Sequence, residues 1–214
     1  MALLSPYDPD FHALGEGYEV DPDPIGVGAF STVHFAMRTD PAPPYRSKMV
    51  AVKAISKERT QEKAVADGAS VPWEELIARE VEVMMELGSL GHKNVPKYFG
   101  SFEDEHYLYV SMQLCAGGEL PVWLSKQVEP YTEALVARII FDVLQAVCCC
   151  HDHLIVHRDI KPQNLLLTSA EPSALLKLVD FGLAMSRESP GQVLHEMCGT
   201  LDYMAPEMLD GAYK

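Results

Sequence analysis

An α+β chain of two lobes, the first rich in strands and the second in helices, is what the 214 residues predict. Three observations predict it. Apolar and polar residues alternate through STVHFAMR (31–38) and KMVAVKAI (48–55), the period of half-buried strands. Apolar residues at helical spacing fill residues 133–153. The change of regime falls at CAGGEL (115–120), which divides the chain into a leader (1–17), a first lobe (18–115) and a second lobe (116–214).

Taken in order, the leader mixes Pro, Asp and Gly and reads as extended chain. Residues 25–55 form the strand-rich start, interrupted by TDPAPPYRS (39–47), whose prolines fix φ and remove the donors that pairing requires. Residues 73–90 read as a helix, with Leu76, Ile77, Val81, Met84 and Met85 among acids, the one helix expected within the first lobe. PKYFGSFEDEHYLYVSMQL (96–114) reads as two strands around an acidic turn. After CAGGEL comes the long helix over 133–153. Then the short strands in NLLL (164–167) and LLKLVDFG (175–182) flank a loop with Ser169, Pro172 and Ser173.

Composition narrows the function. A hydrophobic fraction of 48% is ample for a core. The net charge of −14, without a basic run, argues against nucleic acid or an anionic membrane as partner. Arg138 and Asp142 interrupt the most apolar stretch, so no membrane span is expected. MALLSPYDPD lacks the basic start and long apolar run of a signal peptide, and a cytoplasmic location is the expectation. Five cysteines, three of them consecutive (Cys148, Cys149, Cys150), do not form a disulfide framework. Neighbours on a helix point about 100° apart, so CCCHDH (148–153) reads as small buried helix residues rather than metal ligands.

The chemistry concentrates in a few short segments. IGVGAFSTV (25–33) sets Gly26 and Gly28 between strand residues, where backbone N–H groups can approach phosphate without Cβ interference. It is no Walker loop, because no Gly-Lys-Ser/Thr follows. Lys53, flanked by apolar strand residues, faces either solvent or a site, and reaches nucleotide phosphate only if a carboxylate steadies it. HRDIKPQN (157–164) places a base, two cations, an acid and an amide immediately before an apolar run.

Gly26-x-Gly28 with Val33, VAVK with Lys53, HRDIKPQN, DFG (180–182) and APE (205–207) occur in the order of the eukaryotic protein kinases, which residues 18–214 resemble. The resemblance implies a two-lobed kinase fold and transfer of the γ-phosphate of ATP, with Mg²⁺, to protein hydroxyls. On it, Asp159 accepts or orients the substrate proton, Lys161 neutralises the transferring phosphoryl group, and Asn164 and Asp180 hold metal. The carboxylate for Lys53 is expected from REVEVMMEL (79–87), as Glu80, with Glu82 the runner-up. YVSMQLCAGGEL (109–120) resembles the segment that grips adenine, with Met112 as gatekeeper, Gln113 and Cys115 supplying main-chain hydrogen bonds, and Glu119 reaching ribose or a basic substrate residue. Ile25, Val33, Ala51 and Leu166 would sandwich the adenine, although core packing accounts for them equally well. His157, Phe181, Met84 and Tyr98 resemble the apolar spine that braces such a site.

KPQN and Thr200 in CGTLDYMAPE (198–207) resemble Ser/Thr kinases rather than Tyr kinases, and this threonine is expected to bond Asp159 and Lys161. Ser31 in place of a third glycine, together with residues 102–120 and 175–184, resembles the calcium/calmodulin-regulated and calcium-dependent kinases. That implies protein substrates with Ser or Thr near basic residues. A calcium-sensor module would lie outside this chain, because no D-x-D-x-D-G motif is present in it. Glu196 occupies the position of an activating phosphothreonine and is expected to pair with Arg158. In the family the large lobe continues beyond APE, including an arginine that pairs with the glutamate equivalent to Glu207. The large lobe is therefore expected to be incomplete. The alternative reading is a weak or inactive nucleotide-binding or regulatory fragment.

Overall fold

The structure, a computed structural model, describes residues 17–39, 49–66, 71–126 and 131–214. The leader up to residue 16 and the linker at 40–48 lie outside the described residues. The chain divides into two compact units: residues 1–81 with 98–114, and residues 82–97 with 115–214. The sequence reading ran the first lobe unbroken over 18–115. The stretch 82–97 belongs with the second unit because its end is bonded there. Asn94 Nδ2 donates to Leu176 O (2.8 Å), Leu178 N to Asn94 O (2.9 Å), and Lys177 Nζ to Val95 O (2.9 Å).

In the first unit, β1 (Tyr18–Val27), β2 (Ser31–Arg38), β3 (Met49–Ser56), β4 (Tyr98–Glu103) and β5 (Tyr107–Gln113) form one antiparallel sheet in the order β1-β2-β3-β5-β4. β3 is central and buried on both faces, which separates its residues by the period of 2. Val50, Val52 and Ala54 join Ala36 and Tyr109 on one face, under a stack of Tyr18, Phe102 and Tyr109 with centroids 5.5 and 5.1 Å apart. Ile55 joins Val110 and Ile77 on the other face.

Two helices interrupt this sheet where the sequence suggested one. α1 (Lys57–Ala66) follows β3 directly and lacks an apolar stripe, so hydrophobic periodicity does not mark it. Its start is fixed locally instead: Ser56 Oγ accepts from Arg59 N, and Thr60 Oγ1 donates to Ser56 O. α2 (Trp73–Ser89) matches the expected helix in extent, but its buried face is Ile77, Val83, Met84 and Leu87, while Met85 is exposed. The division between units falls within α2, after Val81.

The second unit is built around α4 (Glu133–Asp152). Thr132 caps it by accepting from Leu135 N (3.1 Å). A sheet of β6 (Gly118–Glu119), β8 (Leu165–Leu167) and β9 (Leu176–Leu178), the pair β7 (Ile155–Val156) and β10 (Met185–Ser186), and the short helices α3 (Leu120–Ser125) and α5 (Pro206–Leu209) complete it. By length and composition α4 could cross a membrane, with a mean hydropathy of 1.7 over its best window. Arg138 and Asp142 do not prevent this on composition, contrary to the sequence expectation. Their bonds tie the helix to its own unit instead: Arg138 donates to Pro172 O and Ala174 O, and Asp142, buried, meets Lys93 (3.3 Å). Cys149 and Cys150 are buried on this helix as expected, whereas Cys148 is exposed.

Candidate active site

In the first unit, register decides what Lys53 faces. It stands opposite Val33 on β2 and Val110 on β5, and shares its side of β3 with Ala51 and Ile55. Ile55 packs on Ile77, and Glu80 follows Ile77 by three residues on the same face of α2. The core contact therefore delivers Glu80 Oε1 to Lys53 Nζ, in an ion pair whose side chains are 12% and 11% exposed. Glu82 is exposed, two residues around the helix.

The hairpin between β1 and β2 is closed by Gly28 N donating to Ser31 O (2.8 Å). Neither Gly26 nor Gly28 has positive φ, and a Cβ on Gly26 would make only ordinary contact with Val33 (3.7 Å). Packing does not demand glycine at position 26, and the bare backbone there leaves the main chain open to close approach. Ile25 is 57% exposed, Val33 half-buried, and Ala51 buried opposite Met112. Met112 packs beside Ile55, Ile77 and Val110, and Gln113 ends β5 opposite Val50.

In the second unit, Cys115 O accepts from Gly118 N (3.3 Å), which commits that carbonyl to its own turn. Gly117 donates to Leu167 O (2.9 Å), and a Cβ on it would stand 2.2 Å from Ser169 O. This crowding brings Glu119, exposed, opposite Leu166 on β8.

Asp159 gathers the catalytic-loop residues. Its Oδ1 accepts from Thr200 Oγ1 (2.8 Å), its Oδ2 from Lys161 Nζ (2.8 Å) and Asn164 Nδ2 (3.0 Å), and Lys161 also donates to Thr200 Oγ1 (2.9 Å). Burial would raise the Asp159 pKa, but the bonds from Lys161, Thr200 and Asn164 together hold it below the ordinary carboxylate value. A carboxylate held in its charged form in this way is a weaker base than an ordinary one and serves as an acceptor of hydrogen bonds. His157 is neutral by the same logic. Burial lowers its pKa, its Nε2–H donates to Val179 O (3.0 Å), and its Nδ1 accepts from Asp159 N (3.3 Å).

Val179 N donates to Asn164 O (2.9 Å), so the β8–β9 hairpin brings Asn164 and Asp180 to the same end. Asn164 spends its amide nitrogen on Asp159, which leaves Oδ1 as the atom of that side chain able to meet a cation. With the exposed Asp180 carboxylate this is a hard-oxygen donor pair, the chemistry Mg²⁺ takes. Asp180 sits at φ 64° and Arg158 at 68°, strained values for non-glycine residues. Phe181, fully buried, meets the His157 ring at 4.9 Å. Of the other two expected spine residues, Met84 is buried in the second unit and Tyr98 half-buried in the first.

Arg158 donates Nε to Leu183 O (2.6 Å) and Nη1 to Glu196 Oε2 (2.8 Å). A Cβ on Gly199, itself at φ 103°, would stand 2.3 Å from Arg158 O. Only glycine lets Thr200 follow so closely over the loop that carries Asp159. Glu207 is exposed, and among the described residues no ion pair involves it. Two contributors escape the sequence reading. Gly199 signals its role only through the adjacent threonine, and Tyr213, whose hydroxyl donates to Glu196 O (2.7 Å), carries no local signature.

Residues 20–214 match the family model described as Protein kinase domain. Among curated relatives, CDPK-related kinase 5 of Arabidopsis thaliana is 36% identical over 169 residues, 78% of this chain and 26% of the relative. CDPK-related kinase 7 of the same plant is 34% identical over 197 residues, 92% of this chain and 32% of the relative. Calcium-dependent protein kinase 22, also from Arabidopsis thaliana, is 31% identical over 194 residues, 89% of this chain and 36% of the relative. The chain thus spans between about a quarter and a little over a third of the length of these relatives. With its β-sheet lobe, its lysine–glutamate pair and its HRD, DFG and APE segments, the chain belongs to the protein kinase domain family.

Proposed function

We propose that the protein transfers the γ-phosphate of ATP to serine or threonine hydroxyls of protein substrates. The observation that supports this most is the closed set around Asp159, in which Lys161, Asn164 and Thr200 all bond one carboxylate. Asp159 orients the acceptor hydroxyl, Lys161 meets the charge of the transferring phosphoryl group, and Lys53, steadied by Glu80, holds nucleotide phosphate. Asn164 Oδ1 and Asp180 would hold Mg²⁺, which when bound neutralises phosphate charge. In the first unit Ile25, Val33, Ala51, Met112 and Gln113 would meet adenine, and in the second Cys115 and Leu166 would do so, with Glu119 available to ribose or a basic residue of the substrate.

Glu196 supplies a fixed anion to Arg158, so transfer requires no phosphorylation of the 196 position. The names of the relatives support a calcium-linked group, with its sensor in sequence other than this chain. The test is transfer of labelled γ-phosphate to a basic Ser/Thr peptide by the full chain, with Asp159→Asn as control. Transfer that falls at least about 100-fold in the variant supports the reading. Transfer equal in the two would show that Asp159 does not carry it, and nucleotide binding without any transfer would make the chain a binding module instead.

A further inference from the structure

Beyond the APE segment the chain turns back on residues 194–196. Leu194 N donates to Tyr213 O (2.8 Å) and Tyr213 N to Leu194 O (3.0 Å), an antiparallel bridge between two otherwise irregular segments. Tyr213 is 6% exposed, and its ring packs with Leu194 and Met208, flanked by Val156, Met185, Cys198 and Ala205. That packing needs only a ring. The hydroxyl is a separate matter, because a phenol oxygen placed there costs stability unless it is bonded.

It is bonded, and to both members of one ion pair. The hydroxyl donates to Glu196 O (2.7 Å) and accepts from Arg158 Nη1 (3.4 Å), while that same Arg158 nitrogen donates to the Glu196 carboxylate. Glu196 is otherwise an exposed residue whose side chain is 58% exposed, so that side chain alone does not fix the backbone at that point. Arg158 adjoins Asp159 and also holds Leu183 O, just past the DFG segment.

We propose that Tyr213 is a positioning residue, whose hydroxyl fixes the Glu196 backbone so that the carboxylate meets Arg158 and residues 194–200 hold their place over the catalytic loop. Its consequence for transfer rests on the phosphotransfer reading, but its consequence for the segment does not. The residue acts through Arg158 and Glu196 and touches no reacting atom.

The experiment compares the full chain with its Tyr213→Phe variant, which keeps the ring and removes the hydroxyl. Amide hydrogen exchange is followed by mass spectrometry over residues 194–200, alongside a thermal melt and steady-state transfer kinetics. Exchange roughly threefold to tenfold faster in that window, with the melt little changed, is the expected result. So is a lower kcat at unchanged KM for ATP, whose contacts are assigned elsewhere. Tyr131→Phe, at an exposed tyrosine two residues before α4, should leave exchange at 194–200 alone. Glu196→Gln should also leave it nearly as slow as in the parent chain, because Tyr213 holds the backbone oxygen rather than the carboxylate. Equal exchange in Tyr213→Phe and the parent chain, or loosening by Glu196→Gln as large as by Tyr213→Phe, overturns the proposal. A parent chain that transfers no phosphate counts against the phosphotransfer reading alone, since the exchange comparison still decides the role of Tyr213.

Discussion

Arg158 is held in a left-handed backbone conformation with its side chain only 7% exposed, so its charge depends on the partners around it. Burial alone would lower its pKa, but Glu196 and Tyr213 more than compensate, and it stays charged. Replacing Glu196 by Ala removes the carboxylate bonded to that guanidinium. Because Glu196 is largely exposed, the stability lost is small, within about 1 kcal/mol. The orientation of Arg158, and of Asp159 beside it, should suffer more, with kcat for peptide phosphorylation at saturating substrate down roughly threefold to tenfold. An unchanged kcat would show that Glu196 is only a solvated acid.

His157 sets a second expectation at this scale, shared with His34 and His92, since burial lowers the pKa of all three below 6.5. A histidine whose folded pKa is depressed stabilises the fold above its unfolded pKa, and that stability is lost as pH falls below it. For His157 the cause is direct. Its Nδ1 must accept from Asp159 N, which a protonated ring cannot do. Melting temperature should therefore fall from pH 7 to pH 5.5, a range above the ordinary titration of carboxylates. A flat profile there would mean that the three rings take up protons as readily in the folded chain as in the unfolded one, and the assignment would fail.

Among the elements, the longer strands β2, β3, β4 and β5 and the helix α4 were legible because each carries its period in its residues, whereas the two-residue strands β6, β7 and β10 are too short to show one. β3 alternates, α4 repeats, and Thr132 marks the start of α4 with a cap. α1 was not legible, because a polar helix fixed by Ser56 and Thr60 displays no stripe. The same contrast holds within the site. Lys53, Asp159, Asn164 and Asp180 sit in motifs that residue order announces. Glu80 was legible through the resemblance of REVEVMMEL to the family helix, whereas Tyr213 acts through a contact across 55 residues that no local pattern encodes. Gly199 shows how an element boundary can be tested. Its φ of 103° and the Arg158 carbonyl 2.3 Å from any Cβ leave no room for alanine. Gly199→Ala should cost about 1–3 kcal/mol of stability and displace Thr200 from Asp159. A melt and a transfer rate both equal to the parent chain would contradict that geometry.

At the scale of the whole molecule, the second unit presents apolar surface that its described residues do not cover. Val136, Ile140 and Leu144 recur at every fourth position of α4, and with Phe141 they are each about half exposed, beside the exposed Tyr131. Scattered apolar residues on a surface are ordinary, but a contiguous stripe of this kind binds apolar probes and promotes association. The stripe is not a flaw in the helix, which is capped at Thr132 and bonded through Arg138 and Asp142 on its other sides. Its cost is therefore one of hydration, roughly 25 cal/mol for each Å² left in water. The chain by itself should brighten a hydrophobic dye while still melting cooperatively. Replacing Ile140 and Leu144 together by Gln should lower that signal severalfold and leave the melting temperature within a few degrees, because the exposed side chains contribute little packing. Dye binding unaltered by the double substitution would place the apolar surface elsewhere. A steep loss of melting temperature would mean that the stripe is buried in solution, by self-association that a dilution series on a sizing column would then reveal.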